Sequence, residues 1–522
     1  MKRTFLTLLV AVLFVSIVIP ASLTFAKTST SKKTPPTASV QELQEKYADA
    51  TGKDKIRILV MPGHEPDFGG AVYQGVYERE IVVETADQLA SYLEQNPRFE
   101  VIVARSNTGW NEDLADYFDG QWSKIEKFVN DKKKAMAKLI SRGDITMRSE
   151  DEQVDHATAP TDSALRLYGI NKWADENDID LVVHLHINDT TDHGPSDPSA
   201  YSGYAVYVPD SQYGNSKTSE AVGEAIANRL STMNATSTLP IENQGVVEDQ
   251  QLIAIGAYDT LSVPSILIEY AYITEPKFNH PEVRQTVTKD YAYETYLGIQ
   301  DFFKDPVMAK YPTASLPYTF TGATVGTSSP QTYALQAALH TLGFYPTYAS
   351  TTPANVRLAA PTLTMCPIDG VMGSCTTDAI EAFQIAKGIK TTGTLDPQTL
   401  YALNTLFSDQ PVTPILPSVP AVTTTTATTT SVSATTSCSL PTHDLALKAT
   451  DTTSGGDVSR LQRLLSTDAT LYPEKLVTGT FGPATLKAVQ KFQLTKKLAT
   501  EGAAGYGLVG PKTRSALQTL CK

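Results

Sequence analysis

Cysteine is scarce in this chain: there are four in 522 residues, Cys366, Cys375, Cys438 and Cys521. None lies near the N-terminus, which argues against a lipid anchor there. No two form a Cys-x-x-Cys pair, which argues against a zinc site built from cysteine alone. An excess of positive charge is also lacking. The formal net charge is −13 and the isoelectric point about 5.2. No basic patch carries interleaved aromatics, so a nucleic-acid partner is not expected. Long apolar runs are missing except one over residues 5–19, which is short for a membrane span. Lys2 and Arg3 precede it, Pro20 ends it, and Thr24-Phe25-Ala26 offers small residues for cleavage after Ala26. Residues 1–26 therefore read as a cleaved export signal, leaving no stable membrane span. Export leads to an oxidising compartment, where disulfides are permitted. Four cysteines allow three pairings. The expected pairs are Cys366–Cys375 and Cys438–Cys521, one bridge inside each of two small C-terminal modules.

At 522 residues the chain is too long for one core, and several domains are expected. Three short apolar runs read as buried strands: Ile56-Arg57-Ile58-Leu59-Val60-Met61, Leu181-Val182-Val183-His184-Leu185-His186 and Ser265-Ile266-Leu267-Ile268-Glu269-Tyr270. Their interleaving with helical patterns predicts an α/β domain with an open, mostly parallel sheet and flanking helices. The first helix, near residues 80–93, places Val82, Ala86, Leu89, Ala90 and Leu93 on one face. His64, Glu78, His186 and Glu269 sit where these runs end or a helix begins. In open α/β sheets ligands bind beyond the carboxyl ends of the strands. Two histidines and a glutamate make a common zinc set with a fourth position for water. A second glutamate can then move protons. Taken singly, each has a plainer role: His64 in a turn, His186 in the core, Glu78 at a helix N-terminus, Glu269 paired with a buried arginine.

Together these residues resemble the zinc-dependent N-acetylmuramoyl-L-alanine amidases of bacterial cell walls. The resemblance rests on Pro62-Gly63-His64, Glu78-Arg79-Glu80, His184-Leu185-His186-Ile187-Asn188 and Pro264-Ser265-Ile266-Leu267-Ile268-Glu269, in order over roughly residues 55–305. It implies Zn²⁺ on His64, Glu78 and His186, with Glu269 as the catalytic acid and base. The bond cut would join the lactyl group of N-acetylmuramic acid to L-alanine. His184 stands where the family usually has serine; it, Asn188 and Glu65 are expected beside the ligands or toward substrate. Asp189 and His193 lie just beyond and could touch substrate. Glu65 replaces a usual glycine. The segment from Ser106 to about Pro160 matches poorly. It is either a helical excursion over a sheet edge or a lid over the metal.

Further on, a repeat appears. Asp369-Gly370-Val371-Met372-Gly373 leads to Ala382-Phe383-Gln384, and Thr478-Gly479-Thr480-Phe481-Gly482 leads to Lys491-Phe492-Gln493. Upstream, Leu335-Gln336 answers Leu461-Gln462. Each copy reads as a small, mainly α, three-helix module that resembles the peptidoglycan-binding module of wall hydrolases. Phe383 and Phe492 are expected in the core. Residues 411–437 are almost free of charge and rich in threonine, an extended linker by composition. The expected order is signal 1–26, polar tether 27–54, catalytic domain 55–305, linker 306–325, module 326–407, linker 408–437 and module 438–522. The expected partner is peptidoglycan, with room for an activator protein. Export points to the cell envelope, in the periplasm or outside. A catalytically silent wall-binding protein and a zinc peptidase cutting another stem bond are the rivals.

Overall fold

The computed structural model describes residues 37–305, 316–347, 361–407 and 440–520, except positions 51, 53, 150, 151, 155–158, 192, 321, 323–325, 448, 450–453, 455, 469, 473–480, 501, 502 and 504. The expected signal and the threonine-rich linker lie outside these residues.

The first described element is helix α1 (Val40–Asp49). Within the polar tether expected over 27–54, residues 40–49 are thus helical. Ser39 and Glu42 form a capping box, and Leu43 and Tyr47, four residues apart, are buried on one face. Tyr47 stacks on Phe303 at 4.6 Å between ring centres, so this helix packs on the domain that follows.

That domain is built on strands β1 (Ile56–Pro62), β2 (Val72–Tyr73), β3 (Val76–Tyr77), β4 (Phe99–Val103), β5 (Leu181–Asn188), β6 (Ala205–Pro209), β7 (Val246–Asp249) and β8 (Ser265–Tyr272). Six of them form one sheet in the order β4-β1-β5-β8-β6-β7, while β2 and β3 pair as a separate hairpin. All neighbours in the sheet run parallel except β6 against β8. The central strands are buried on both faces, which is why they read as continuous apolar runs. One face is covered by α2 (Glu78–Leu93), α5 (Ser216–Leu230) and α6 (Pro281–Phe302). Val82, Ala86, Leu89, Ala90 and Leu93 are buried, as their spacing predicted.

The other face carries α3 (Glu112–Arg142) and α4 (Thr161–Glu176). Leu114, Phe118, Ile125, Val129 and Met136 form the buried stripe of α3, and Asn111 caps its first turn. This 31-residue helix is the segment for which two roles were open. It shares a core with α4, Leu59, Met61 and Val182, so it covers a face of the sheet rather than its edge.

The C-terminal region is helical. The first module comprises α7 (Pro330–Thr341), α8 (Ser374–Lys387) and α9 (Pro397–Phe407). Its core residues Tyr333, Leu335, Leu339, Phe383 and Leu403 belong to the same buried cluster as Val283, Tyr291 and Phe302 of α6. Tyr333 donates from its hydroxyl to Asp290 at 2.9 Å. Gly370, at φ 77°, lies so close that a Cβ there would stand 2.8 Å from Val283 Cγ1. The end of the expected linker is also packed: Leu316 and Phe320 are buried, and Tyr318 stacks on Phe407 at 4.9 Å. The second module holds α10 (Asp457–Leu465), α11 (Pro483–Thr495) and α12 (Pro511–Leu517). Leu461, Leu465, Phe481, Val489, Phe492 and Leu517 form a core of their own. The Cys366–Cys375 bridge is present. Cys438 and Cys521 lie outside the described residues.

Candidate metal centre

His64, Glu78 and His186 converge beyond the carboxyl ends of β1 and β5. One ligand atom from each lies within 4.8 Å of the others. His64 follows β1 directly and takes φ 68°, in the left-handed region. Arg105, at the end of β4 and almost fully buried, holds this turn. It donates to the Pro62 carbonyl at 3.1 Å, the Arg79 carbonyl at 3.1 Å, and the Gly63 carbonyl. Gly63 has no room for a side chain: a Cβ would stand 2.3 Å from His186 Cε1. Glu78 arrives from the other side. Gln74 and Gly75 at φ 49° and 80° make the tight turn of the β2–β3 hairpin, which leads straight into α2. Glu78 is the first residue of α2, where the macrodipole favours a carboxylate.

Glu78 Oε1 lies 2.8 Å from His64 Nε2 and 3.1 Å from His186 Nδ1, and accepts from the Ile187 amide at 3.0 Å. Its Oε2 accepts from the Ala71 amide at 2.8 Å. Burial alone would raise this carboxyl, but the facing imidazoles reverse that and hold it below the usual carboxylate range. His186 is held low by burial, against the pull of Glu78. His64 Nε2 is buried and near Glu78, yet makes no aligned hydrogen bond. Two imidazole nitrogens and a carboxylate oxygen that crowd one point in this way fit a divalent cation. The His64 side chain keeps 27% of its surface exposed, so the cluster is reachable from solvent.

Glu269 on β8 is the register partner of His186 on β5. Burial, then the charges of Glu78 and Glu242, push its carboxyl well above the usual range. Its Oε2 has no hydrogen-bond partner among the described residues, and no arginine pairs with it. Glu242 is a group that sequence reasoning missed. It is fully buried and receives Asn188 Nδ2 at 2.9 Å and the hydroxyls of Tyr207 and Tyr272. No motif or period marks it; only the fold brings it near Glu269. Arg105 was also missed, though a lone arginine closing an apolar strand was its signal.

The remaining candidates divide. His184 is buried and held neutral, its pKa pushed down to about 3 by burial and by His186, and it is no member of the cluster. Asn188 faces Glu242 rather than the cluster. Glu65 pairs with Arg166 at 3.2 Å. Asp189 and His193 pair with one another at 2.8 Å. In both modules the motif glutamines clamp turns. Gln336 accepts from Gly370 N at 2.8 Å, Gln384 from Gly393 N at 3.0 Å, and Gln493 from Gly507 N at 2.7 Å.

A mostly parallel sheet with a His–Glu–His cluster and a half-buried glutamic acid beside it is the arrangement of a candidate metal-dependent hydrolase. Residues 58–301 match the N-acetylmuramoyl-L-alanine amidase family, and this part of the chain belongs to it. Residues 328–403 and 454–517 each match the peptidoglycan binding domain. No curated protein matches the chain. Among solved structures, the chain is similar to the amidase Ami1 of Mycobacterium smegmatis at 14% identity, over 48% of this chain and 97% of that one, TM-score 0.32. It is similar to CwlD of Clostridioides difficile, solved in complex with the GerS lipoprotein, at 15% over 48% and 99%, TM-score 0.32. It is also similar to AmiC2 of Nostoc punctiforme at 17% over 48% and 99%, TM-score 0.29. Among the described residues no helix is long and apolar enough to cross a membrane.

Proposed function

We propose that the chain is an exported zinc amidase that cleaves the amide between N-acetylmuramic acid and L-alanine in peptidoglycan. The observation that carries this is the convergence of His64, Glu78 and His186 with Glu269 as the neighbour of His186 across two strands. Zinc, when bound by the first three, supplies a Lewis acid for the scissile carbonyl and lowers the pKa of water, to about 7 in other enzymes. Glu269 takes the proton of the attacking water and returns it to the departing amine of L-alanine. Asn188, Tyr207 and Tyr272 hold Glu242 behind it, which fixes the local field. Arg105 and Gly63 hold His64 and His186 at their separation. The two peptidoglycan binding domains keep the enzyme on its insoluble substrate and place its work in the cell envelope. Residues 1–26 serve as the export signal, and an activator protein is a further partner.

Digestion of purified peptidoglycan with the zinc-loaded chain, read by mass spectrometry, tests this. Free stem peptides that begin with L-alanine are expected, lost on chelation and reduced at least about a hundredfold in Glu269→Ala. Shortened stems still attached to muramic acid would overturn the bond assignment and indicate a peptidase. Intact muropeptides would indicate a wall-binding protein without turnover.

A further inference from the structure

A groove of about 730 Å³ opens beside the cluster, not over it. The loop that carries His64 continues into Glu65, Pro66, Asp67 and Phe68, which form its inner wall. The opposite wall comes from α3 and the turn before it, through Trp110, Phe118 and Trp122, and from the start of α4. Phe68, 56% exposed, presents its ring at the groove. Trp110 and Phe118 meet edge to face at 5.2 Å, which sets one indole as a firm wall. Volume and aromatic lining are those of a small-ligand site.

Charge identifies the occupant. Among the described residues that line the groove Arg166 is the one cation, and it is already engaged: it pairs with Glu65 at 3.2 Å and lies 5.6 Å over the Trp122 ring. Asp67, Asp119 and Asp162 also line the groove, are exposed, and have no ion-pair partner among the described residues. An N-acetylated glycan is neutral and would be served by aromatic faces alone. Three carboxylates without a cation match an ammonium group. We propose that this groove receives the stem peptide on the amine side of the scissile bond, its rim carboxylates taking a side-chain ammonium. This rests on the amidase reading, since the groove is continuous with the loop that holds His64. It gives α3 a role: the helix supplies the wall that selects the peptide.

The test uses the full chain and two muramoyl tripeptides, one with a free lysine side chain at the third position and one with that amine acetylated. For the native chain kcat/KM is expected to favour the free amine by about fivefold, the scale of a partly exposed ion pair. In the double variant Asp119→Asn/Asp162→Asn this ratio falls toward one. A ratio is insensitive to the amount of folded enzyme. In parallel, calorimetry on the metal-free chain measures binding of the two released peptides, Ala-Glu-Lys with its lysine free or acetylated. The native chain is expected to show the same preference and the variant to lose it. Equal treatment of both ligands by the native chain, or a preference that survives in the variant, overturns the proposal. A chain that cleaves neither substrate refutes the amidase reading instead, while calorimetry still decides the groove.

Discussion

The two C-terminal modules share a motif and differ in what they pack against. The first shares its core with the amidase domain: Tyr333 and Leu335 sit in one cluster with Val283 and Tyr291, and Gly370 touches α6. The second closes on its own residues, Leu461, Phe481, Phe492 and Leu517. Both keep the glutamine clamps that fold the module. What distinguishes them is the outer surface of α7, which finds α6. One family fold is therefore used in two ways here: the first copy shares a buried core with the amidase domain, and the described core of the second is made of its own residues.

The largest test of this contrast is where the chain can be cut. A fragment ending at Asp305 uncovers side chains that are each stabilised by roughly 1.5–3 kcal/mol when fully buried. It should melt about 10 °C or more below the intact chain, or aggregate. A fragment ending at Ser437 should keep the main transition within about 2 °C. Equal melting of both fragments would erase the distinction.

A subtler cut is chemical. Gln384→Ala strands the amides of Thr392 and Gly393, and Gln493→Ala strands that of Gly507. Each should cost about 1–3 kcal/mol. Calorimetric scans should show the first lowering the transition of the catalytic body and the second lowering only that of the last module. Linked shifts from both variants would mean that the modules unfold together.

The smallest effect is a pH dependence confined to the joint. Asp290 is buried beneath Tyr333, and burial pushes its carboxyl up to about 7. Its Oδ1 has no hydrogen-bond partner among the described residues. Lys277 opposes the rise in its pKa, and Glu294 lies near. A raised folded pKa means that the folded state holds the proton more tightly. Its contribution is full below about 4, the range of an unfolded aspartate, and is lost as pH climbs toward 7. Asp290→Asn should flatten the fall in melting temperature between pH 4 and 7. An unchanged slope would place the charge elsewhere.

Much of the site was legible because its residues sit at strand ends. Apolar runs locate β1, β5 and β8, and the next polar residue in each is where a parallel sheet presents chemistry. His64, Glu78 and His186 then fall together. Glu242 and Arg105 were not legible as partners, because nothing local ties them to His186 or Glu269; the crossovers alone bring them there. Helix α1 was hidden in a polar segment since only Leu43 and Tyr47 face inward, too few to raise the hydrophobicity of residues 27–54. The joint between α6 and α7 was hidden because its polar members, Asp290 and Tyr333, read as surface residues until they are paired. The motif glutamines stood in plain view, but a turn clamp needs the folded loop to be recognised.

The shared core of the amidase domain and the first module makes the molecule a gauge. A glycan strand gripped by α7, α8 and α9 would meet His64 and Glu269 at one fixed offset, because α6 and α7 share one core. The distance from grip to cut becomes a property of side-chain packing, and Val283 against Gly370 is one of its graduations. The second module can widen the search without changing where the mark falls.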